Sequence, residues 1–301
     1  MRTMRSAIFT RQAASAACLL FFLATGAAAF AQPKRFRPQP QYVQIGQPDQ
    51  AEGRRILDDF RTRGVEGDYY WEFSLRVMPR LGDEDRIIPG RLWGGRNENG
   101  PITRIVLYPG VTASERRLLI QNGPKGATWG WRADKPSDGV TPLGPAAWFE
   151  PLADTDVSAF DLQMPFLYWN DFVFEGVTNL LGRPAHAFIL YPPADIATLR
   201  PSLTGVRVYL DTAYHAMVQF EEIGEAGQVL KTLTLGGFKK VDDQWIVKLA
   251  DFRDEATRNK TRFLVTGAAM SLELPATVFE PASLDQPLRP PAIDRIRPVA
   301  P

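Results

Sequence analysis

Two histidines, one cysteine and a run of carboxylates are the side chains of this 301-residue chain that could do covalent or acid–base chemistry. His186 and His215 each fall in a strand-like stretch, with no Cys, His or paired carboxylate at metal-ligand spacing. They read as packed or surface histidines, and no metal site is expected. The single cysteine, Cys18, precedes the Leu/Phe core of an N-terminal leader, which excludes a thiol nucleophile or disulfide once that leader is removed. There is no G-x-S-x-G elbow for a nucleophilic serine. There is also no Walker-type or G-x-G-x-x-G loop for phosphate; Gly94-Gly95 reads as a turn. Asp242, Asp243, Asp251, Asp254 and Glu255 read as loop and strand-edge charges. A glycosidase-like acid pair is assembled by the fold and so stays open at this level. The balance of these residues favours no enzyme, no catalytic residue and no cofactor.

The stronger signal is apolar. Tyr69, Trp71, Phe73 and Leu75 recur at period two, as do Trp129 and Trp131, Val218 and Phe220, and Trp245 and Val247. Period two puts each group on one face of a strand. Two readings follow. These residues either form an ordinary core beneath packed helices, or they line a cavity for an apolar ligand left under a curved sheet too large for a few helices to fill.

The elements that position them are punctuated clearly. Residues 1–31 carry Arg2, Arg5 and Arg11, an apolar stretch centred on Leu19–Leu23, and Ala29-Phe30-Ala31 as an A-x-A site. This predicts an exported, periplasmic protein cleaved after Ala31. The apolar stretch is short for a membrane core of ~30 Å. Residues 32–48, with four prolines, read as a flexible lead-in, and 286–301, with five, as a loose proline-rich tail. The folded domain is then 49–285. Its helix opens at Asp49, with Glu52 at capping-box spacing and Ile56, Leu57 and Phe60 on one face, and stops at Gly64. Strands are predicted at 69–77, 87–93, 102–108, 116–121, 128–132, 175–181, 185–191, 206–211, 215–223, 229–238, 244–251 and 261–269. Helical turns are predicted at 154–160 and 194–199. The architecture expected is mainly β (α+β): a curved, antiparallel, incomplete barrel of about eleven strands with two or three helices on the concave face.

Net charge is +1, with 35 basic and 34 acidic side chains. The leader removes three arginines and no acid, leaving a net of −2. Such a balance gives no overall field to attract nucleic acid or anionic lipid.

The order of short motifs resembles the outer-membrane lipoprotein-sorting proteins of the LolA-like superfamily. The matching run contains Phe160-Asp161-Leu162, Phe166-Leu167-Tyr168-Trp169, Gly182-Arg183-Pro184 and Val206-Arg207-Val208-Tyr209-Leu210-Asp211. It continues with Gly227-Gln228-Val229-Leu230-Lys231, Gln244-Trp245-Ile246-Val247, Asn259-Lys260-Thr261 and Val278-Phe279-Glu280-Pro281 with Leu284. Arg91-Leu92-Trp93 fits as the middle of the second strand. The insert at 140–153 and the proline-rich ends depart from the plain carrier pattern, and no residue here matches a specific functional arginine or lid residue. The resemblance implies a cavity that holds acyl chains of a lipoprotein or another lipid. It also implies an inner-membrane release complex and an outer-membrane acceptor as partners. An envelope sensor or interaction protein on the same fold is the alternative.

Overall fold

The computed structural model describes residues 47–81, 84–110 and 114–299. The expected leader, residues 1–31, and nearly all of the lead-in 32–48 lie outside the described residues. The elements in chain order are α1 (Gln50–Thr62), β1 (Asp68–Met78), β2 (Arg86–Asn97), β3 (Gly100–Leu107), β4 (Arg116–Gln121), β5 (Ala127–Arg132) and β6 (Thr141–Leu143). Then come α2 (Ala159–Gln163), β7 (Phe172–Leu180), β8 (Arg183–Leu190), α3 (Ala194–Leu199) and β9 (Gly205–Asp211). The chain ends with β10 (Met217–Ile223), β11 (Val229–Val241), β12 (Gln244–Asp254), β13 (Lys260–Leu272) and β14 (Arg297–Pro298).

All pairings are antiparallel within one sheet, in the order β6-β5-β4-β3-β2-β1-β13-β12-β11-β10-β9-β8-β7, with β14 added to β13. The path ends at β6 and β7, so the sheet is not closed. It has 14 strands, more than the eleven or so expected. The two without a sequence signal, β6 and β14, are three and two residues long, too short to show a period. The free edge at β7 is covered by one side chain: the Gln50 amide donates to the carbonyl of Phe174 (2.8 Å) and accepts from its N–H (2.9 Å). That imitates a neighbouring strand and blunts an edge open to aggregation.

α1 begins as its sequence suggests, with Asp49 accepting from the N–H groups of Ala51 and Glu52. Its end differs. Gly64 is not the stop; Arg63 turns extended, and Arg96 from β2 donates to the carbonyls of Thr62 and Arg63. A cation there suits the negative end of the helix dipole. The second helix is also displaced, from 154–160 to 159–163. Ala153 and Asp154 take left-handed backbone, and Thr155 folds a tight turn onto Leu152 and Val157. Ser158 and Asp161 then form the capping box that starts α2.

The face of the sheet covered by α1 and α2 is called inner here. Its core over β7–β12 is aromatic: Phe160 and Phe166 meet at 5.6 Å, and Phe166 lies edge-on to Phe220 at 4.9 Å. The outer face of β1–β4 is covered by the C-terminal segment. Residues 286–299 are therefore not a loose tail. Val278 and Leu284 are buried against Tyr70, Trp93, Ile102 and Leu119, and β14 pairs Pro298 with Gly267 and Arg297 with Ala268. The fastening is Arg104, which is fully buried. It donates to the carbonyls of Val278 (3.3 Å), Leu284 (3.3 Å) and Gln286 and to the Ser283 hydroxyl (3.0 Å). Burial, reinforced by the charge of Arg117, pushes the Arg104 guanidinium down to about 10. Backbone carbonyls disperse its charge, and the Asp285 carboxylate opposes the downward shift.

Candidate functional site: the inner face of β1 to β5

Tyr69, Trp71, Phe73 and Leu75 share the inner face of β1, as their spacing predicts. Opposite them on β2 stand Gly94, Leu92, Gly90 and Ile88. The glycines decide what the rings can do. A Cβ at Gly90 would lie 2.3 Å from the Phe73 ring, and one at Gly94 would lie 2.1 Å from the Tyr69 ring. Both rings therefore lie down across the neighbouring strand instead of standing off the sheet, and the surface above them is lowered. Gly94 and Gly95 are within β2, not in a turn: the residue type is needed for close approach.

Trp71 sits beside Tyr69, with ring centroids 5.0 Å apart, and Phe73 meets Phe263 of β13 at 4.6 Å. Leu92, Ile105, Leu118 and Ile120 extend the apolar surface across β2–β4, and Leu143, Leu152 and Leu162 form its far wall. Tyr69 and Trp71 stay half-buried. Burial pushes the Tyr69 hydroxyl above its ordinary range, against a hydrogen bond with Thr103 and the charge of Arg96. Four buried polar atoms near this wall, Trp71 Nε1, Thr128 Oγ1 and both Gln163 amide atoms, have no hydrogen-bond partner among the described residues. Unpaired buried groups of this kind are costly in a finished core.

The other sequence candidates do not join them. Phe220 faces inward but over the other half of the sheet, fully buried against Phe166. Val218 falls at a register shift in β10, where Met217 takes the inward place opposite Leu210. The bulge breaks the period on which its assignment rested. Trp129 and Trp131 share a face, but it is the outer one, with Leu119, Arg117 and Leu284. The Arg117 guanidinium lies 4.2 Å over the Trp131 ring. Trp245 and Val247 lie beyond two register shifts in β11, at Leu235–Gly237 and Gly237–Phe238. There Val241 and Ile246 turn inward, and Trp245 is left 65% exposed.

Sequence reasoning missed a buried charge cluster at the other end of the inner face. The Asp161 carboxylate accepts from Lys231 Nζ (2.6 Å) and from the N–H (2.7 Å) and hydroxyl (2.8 Å) of Ser158. Glu222, directly across from Lys231 on β10, accepts from Arg200 (2.7 Å) just beyond α3. Burial and then the Asp161 charge push the Glu222 carboxyl up, while Arg200 and Lys231 hold it back. Lys231 is pushed down by burial but raised on balance by Asp161 and Glu222. The signal was present: Glu222 is two residues from Phe220, and Lys231 two from Leu233, so both charges lie on the inward period. Each carboxylate has its own cation, and the Phe149 ring lies 4.7 Å from Arg200. The cluster ties α2 and α3 to the sheet.

His186 and His215 lie together, with ring centroids 6.4 Å apart, His186 against Phe174 and His215 Nδ1 3.9 Å from Asp59. Burial and the neighbouring His215 push His186 down. Among the described residues no group of three or more His, Cys, Asp or Glu could hold a metal ion, and no helix is long and apolar enough to cross a membrane.

An open antiparallel sheet of this order, helices on its inner face, has solved counterparts. A domain from Vibrio parahaemolyticus described as an outer membrane lipoprotein-sorting protein superposes with a TM-score of 0.67 at 17% identity, covering 79% of this chain and 100% of that one. A LolA superfamily protein from Nitrosomonas europaea gives 0.56 at 11% identity, over 75% of this chain and 96% of that one. The fold is LolA-like. A DUF1329 family protein from Desulfovibrio piger shares the LolA-like fold at a TM-score of 0.65 and 14% identity, over 78% and 98% of the two chains. A family model described as an uncharacterized protein matches residues 151–286, less than half of the chain. No curated protein matches.

Proposed function

We propose that this protein is a periplasmic carrier that shields an acyl chain of a lipoprotein or another lipid on the inner face of β1–β5, and that it performs no chemistry on it. The observation that carries this reading is the lowered surface at Tyr69 and Phe73. Their rings lie flat over Gly94 and Gly90, with Trp71 half-buried between them. An acyl chain laid there gains roughly 0.8 kcal/mol per CH₂ removed from water. The LolA-like fold and the relative described as lipoprotein-sorting support the choice of cargo. The N-terminal leader supports export, with cleavage after Ala31, and an inner-membrane release complex and outer-membrane acceptor as partners.

The test is mass spectrometry of lipid extracted from the purified protein, together with titration of a fluorescent fatty-acid analogue. Saturable binding displaced by lipopeptide, and weakened by Gly94→Leu or Trp71→Ala, is the expected result. Absence of any saturable acyl binding overturns it.

A second reading, an envelope sensor or interaction protein on the same fold, has one observation in its favour. An open recess of about 480 Å³ lies on the outer face between the end of β13 and the C-terminal segment. It is lined by Leu272, Leu274, Pro290 and Pro291, with Arg289 and Arg295 among its polar groups. An empty protein that captures one membrane protein, and loses it on Arg289→Ala/Arg295→Ala, supports the sensor instead.

A further inference from the structure

α2 ends against β4 and β5. The Asn122 amide donates to the Gln163 carbonyl (2.5 Å) and so ties the last residue of α2 to the end of β4. The Gln163 side chain lies against Gly126, just before β5, where a Cβ would stand 2.8 Å from Nε2. Gly126 does not have a positive φ, so glycine serves there for clearance and not for conformation.

Thr128 stands two residues further along, opposite Ile120 on β4 and Leu143 on β6, and shares their inner face. Gln163 is 1% exposed and Thr128 2%. Both atoms of the Gln163 amide and the Thr128 hydroxyl lack a hydrogen-bond partner among the described residues, so the two do not bond each other. A buried amide with neither atom paired is rare and costly in a native fold. The fold clears room for this amide at Gly126 and then gives it nothing to bond. Leu162, next to Gln163, belongs to the apolar cluster of β1–β4, so the unpaired groups adjoin the surface to which an acyl chain is assigned.

We infer that Gln163 and Thr128 bind the amide group of an N-acylated ligand, whose hydrocarbon lies on the apolar surface beside them. The inference rests on the carrier reading and specifies its ligand. The donors and acceptors select the chemistry. Gln163 offers a donor at Nε2 and an acceptor at Oε1, and the Thr128 hydroxyl serves either way. A ligand amide answers both, with a carbonyl that accepts and an N–H that donates. An ester has acceptors only and leaves Gln163 Oε1 unpaired. A carboxylate leaves it unpaired too, and brings a charge that none of Gln163, Thr128 and Asn122 neutralises.

The test compares N-palmitoylethanolamine with ethylene glycol monopalmitate, which differ only in N–H for O, and with palmitate. Each displaces the fluorescent fatty-acid analogue from the purified protein. The wild-type protein should bind the amide about tenfold tighter than the ester. Gln163→Met keeps the length and removes both polar atoms, and should bring amide and ester within about twofold of each other. Thr128→Val should narrow the preference by about threefold. Empty Gln163→Met should melt no lower than wild type, since it loses an unpaired buried group. A short N-palmitoylated peptide separates the sources: binding tighter than that of N-palmitoylethanolamine supports an acylated polypeptide, and equal binding supports a free acyl amide. Equal binding of amide and ester by the wild-type protein, or a preference that survives Gln163→Met, overturns this inference and leaves the carrier reading intact. A lower melting temperature of empty Gln163→Met shows the amide bonded within the fold and also overturns it. No binding of any acyl compound overturns both readings.

Discussion

The two halves of the inner face are finished differently. Over β7–β12 the chain supplies its own filling: α1, α2 and the 3-10 turn Pro165–Tyr168 bring Leu57, Phe160 and Phe166 onto Phe188, Val208 and Phe220. Over β1–β5 the Tyr69 and Phe73 rings lie flat on glycines, and Phe73, Leu75, Ile88 and Ile120 are buried with Leu143, Leu152 and Leu162 against them, while Tyr69 and Trp71 remain half-buried. The stiffening of that half is on its outer face, where the C-terminal segment is pinned by Arg104. One sheet thus carries two cores on its inner face, a larger aromatic one over β7–β12 and a smaller one over β1–β4 whose margin at Tyr69 and Trp71 is half-buried.

The largest expected effect lies in the closed half. Lys231→Met leaves Asp161 and Glu222 buried with one cation fewer, and removing one partner of a buried pair costs about 3–5 kcal/mol. Denaturant unfolding should show it as a lower midpoint. Phe220→Ala should cost a similar ~3–5 kcal/mol by opening a cavity. Trp71→Ala, in the open half, should cost less than about half of that while removing acyl binding. Equal losses from Phe220→Ala and Trp71→Ala, with acyl binding retained, would mean that both halves are packed cores.

The contrast also shows what could be read in the residues. The period of β1 identified its inner face correctly, because only one phase there is fully apolar. On β4 and β5 the period found the shared face of Trp129 and Trp131 but not its side. Both faces of β4 are buried, one under the strap, and alternation cannot tell inner from outer when each is covered. Bulges defeated Val218, Trp245 and Val247, since one extra residue moves every later side chain to the other face. The strap itself had no signal: prolines suppress periodicity, and its main fastening is made by backbone carbonyls, which any residue can offer.

Arg104→Ala tests whether the strap carries the open half. It takes the Arg104 donor from the carbonyls of Val278 and Gln286, while Leu284 keeps Arg117 (3.2 Å), and buried polar groups abandoned in this way cost about 1–3 kcal/mol. Hydrogen exchange should speed up along β3, β4 and residues 278–299 and stay slow in β8–β10. Uniform acceleration would show that the halves are not separable.

A smaller effect is pH-dependent. The Glu222 carboxyl is raised in the folded protein, so the native state holds its proton to higher pH than the unfolded chain does. Its contribution is fully present below the ordinary carboxylate range and is lost as pH rises through the raised value. Glu222→Gln should flatten that slope in the melting temperature. An unchanged slope would place the titration elsewhere.

The smallest effect marks where the strap stops. Arg76 lies on the outer face of β1 across from Ile87, and both are exposed. Its ion pair with Asp85 (2.6 Å) is in solvent, each side chain more than a third exposed. An exposed pair contributes about 0–1 kcal/mol. Arg76→Gln should therefore shift the unfolding midpoint by no more than ~0.5 kcal/mol, and salt should erase even that. Leu75→Ala, one residue away on the inner face, should cost about 2–5 kcal/mol. Should the two variants destabilise alike, the outer end of β1 would be covered after all.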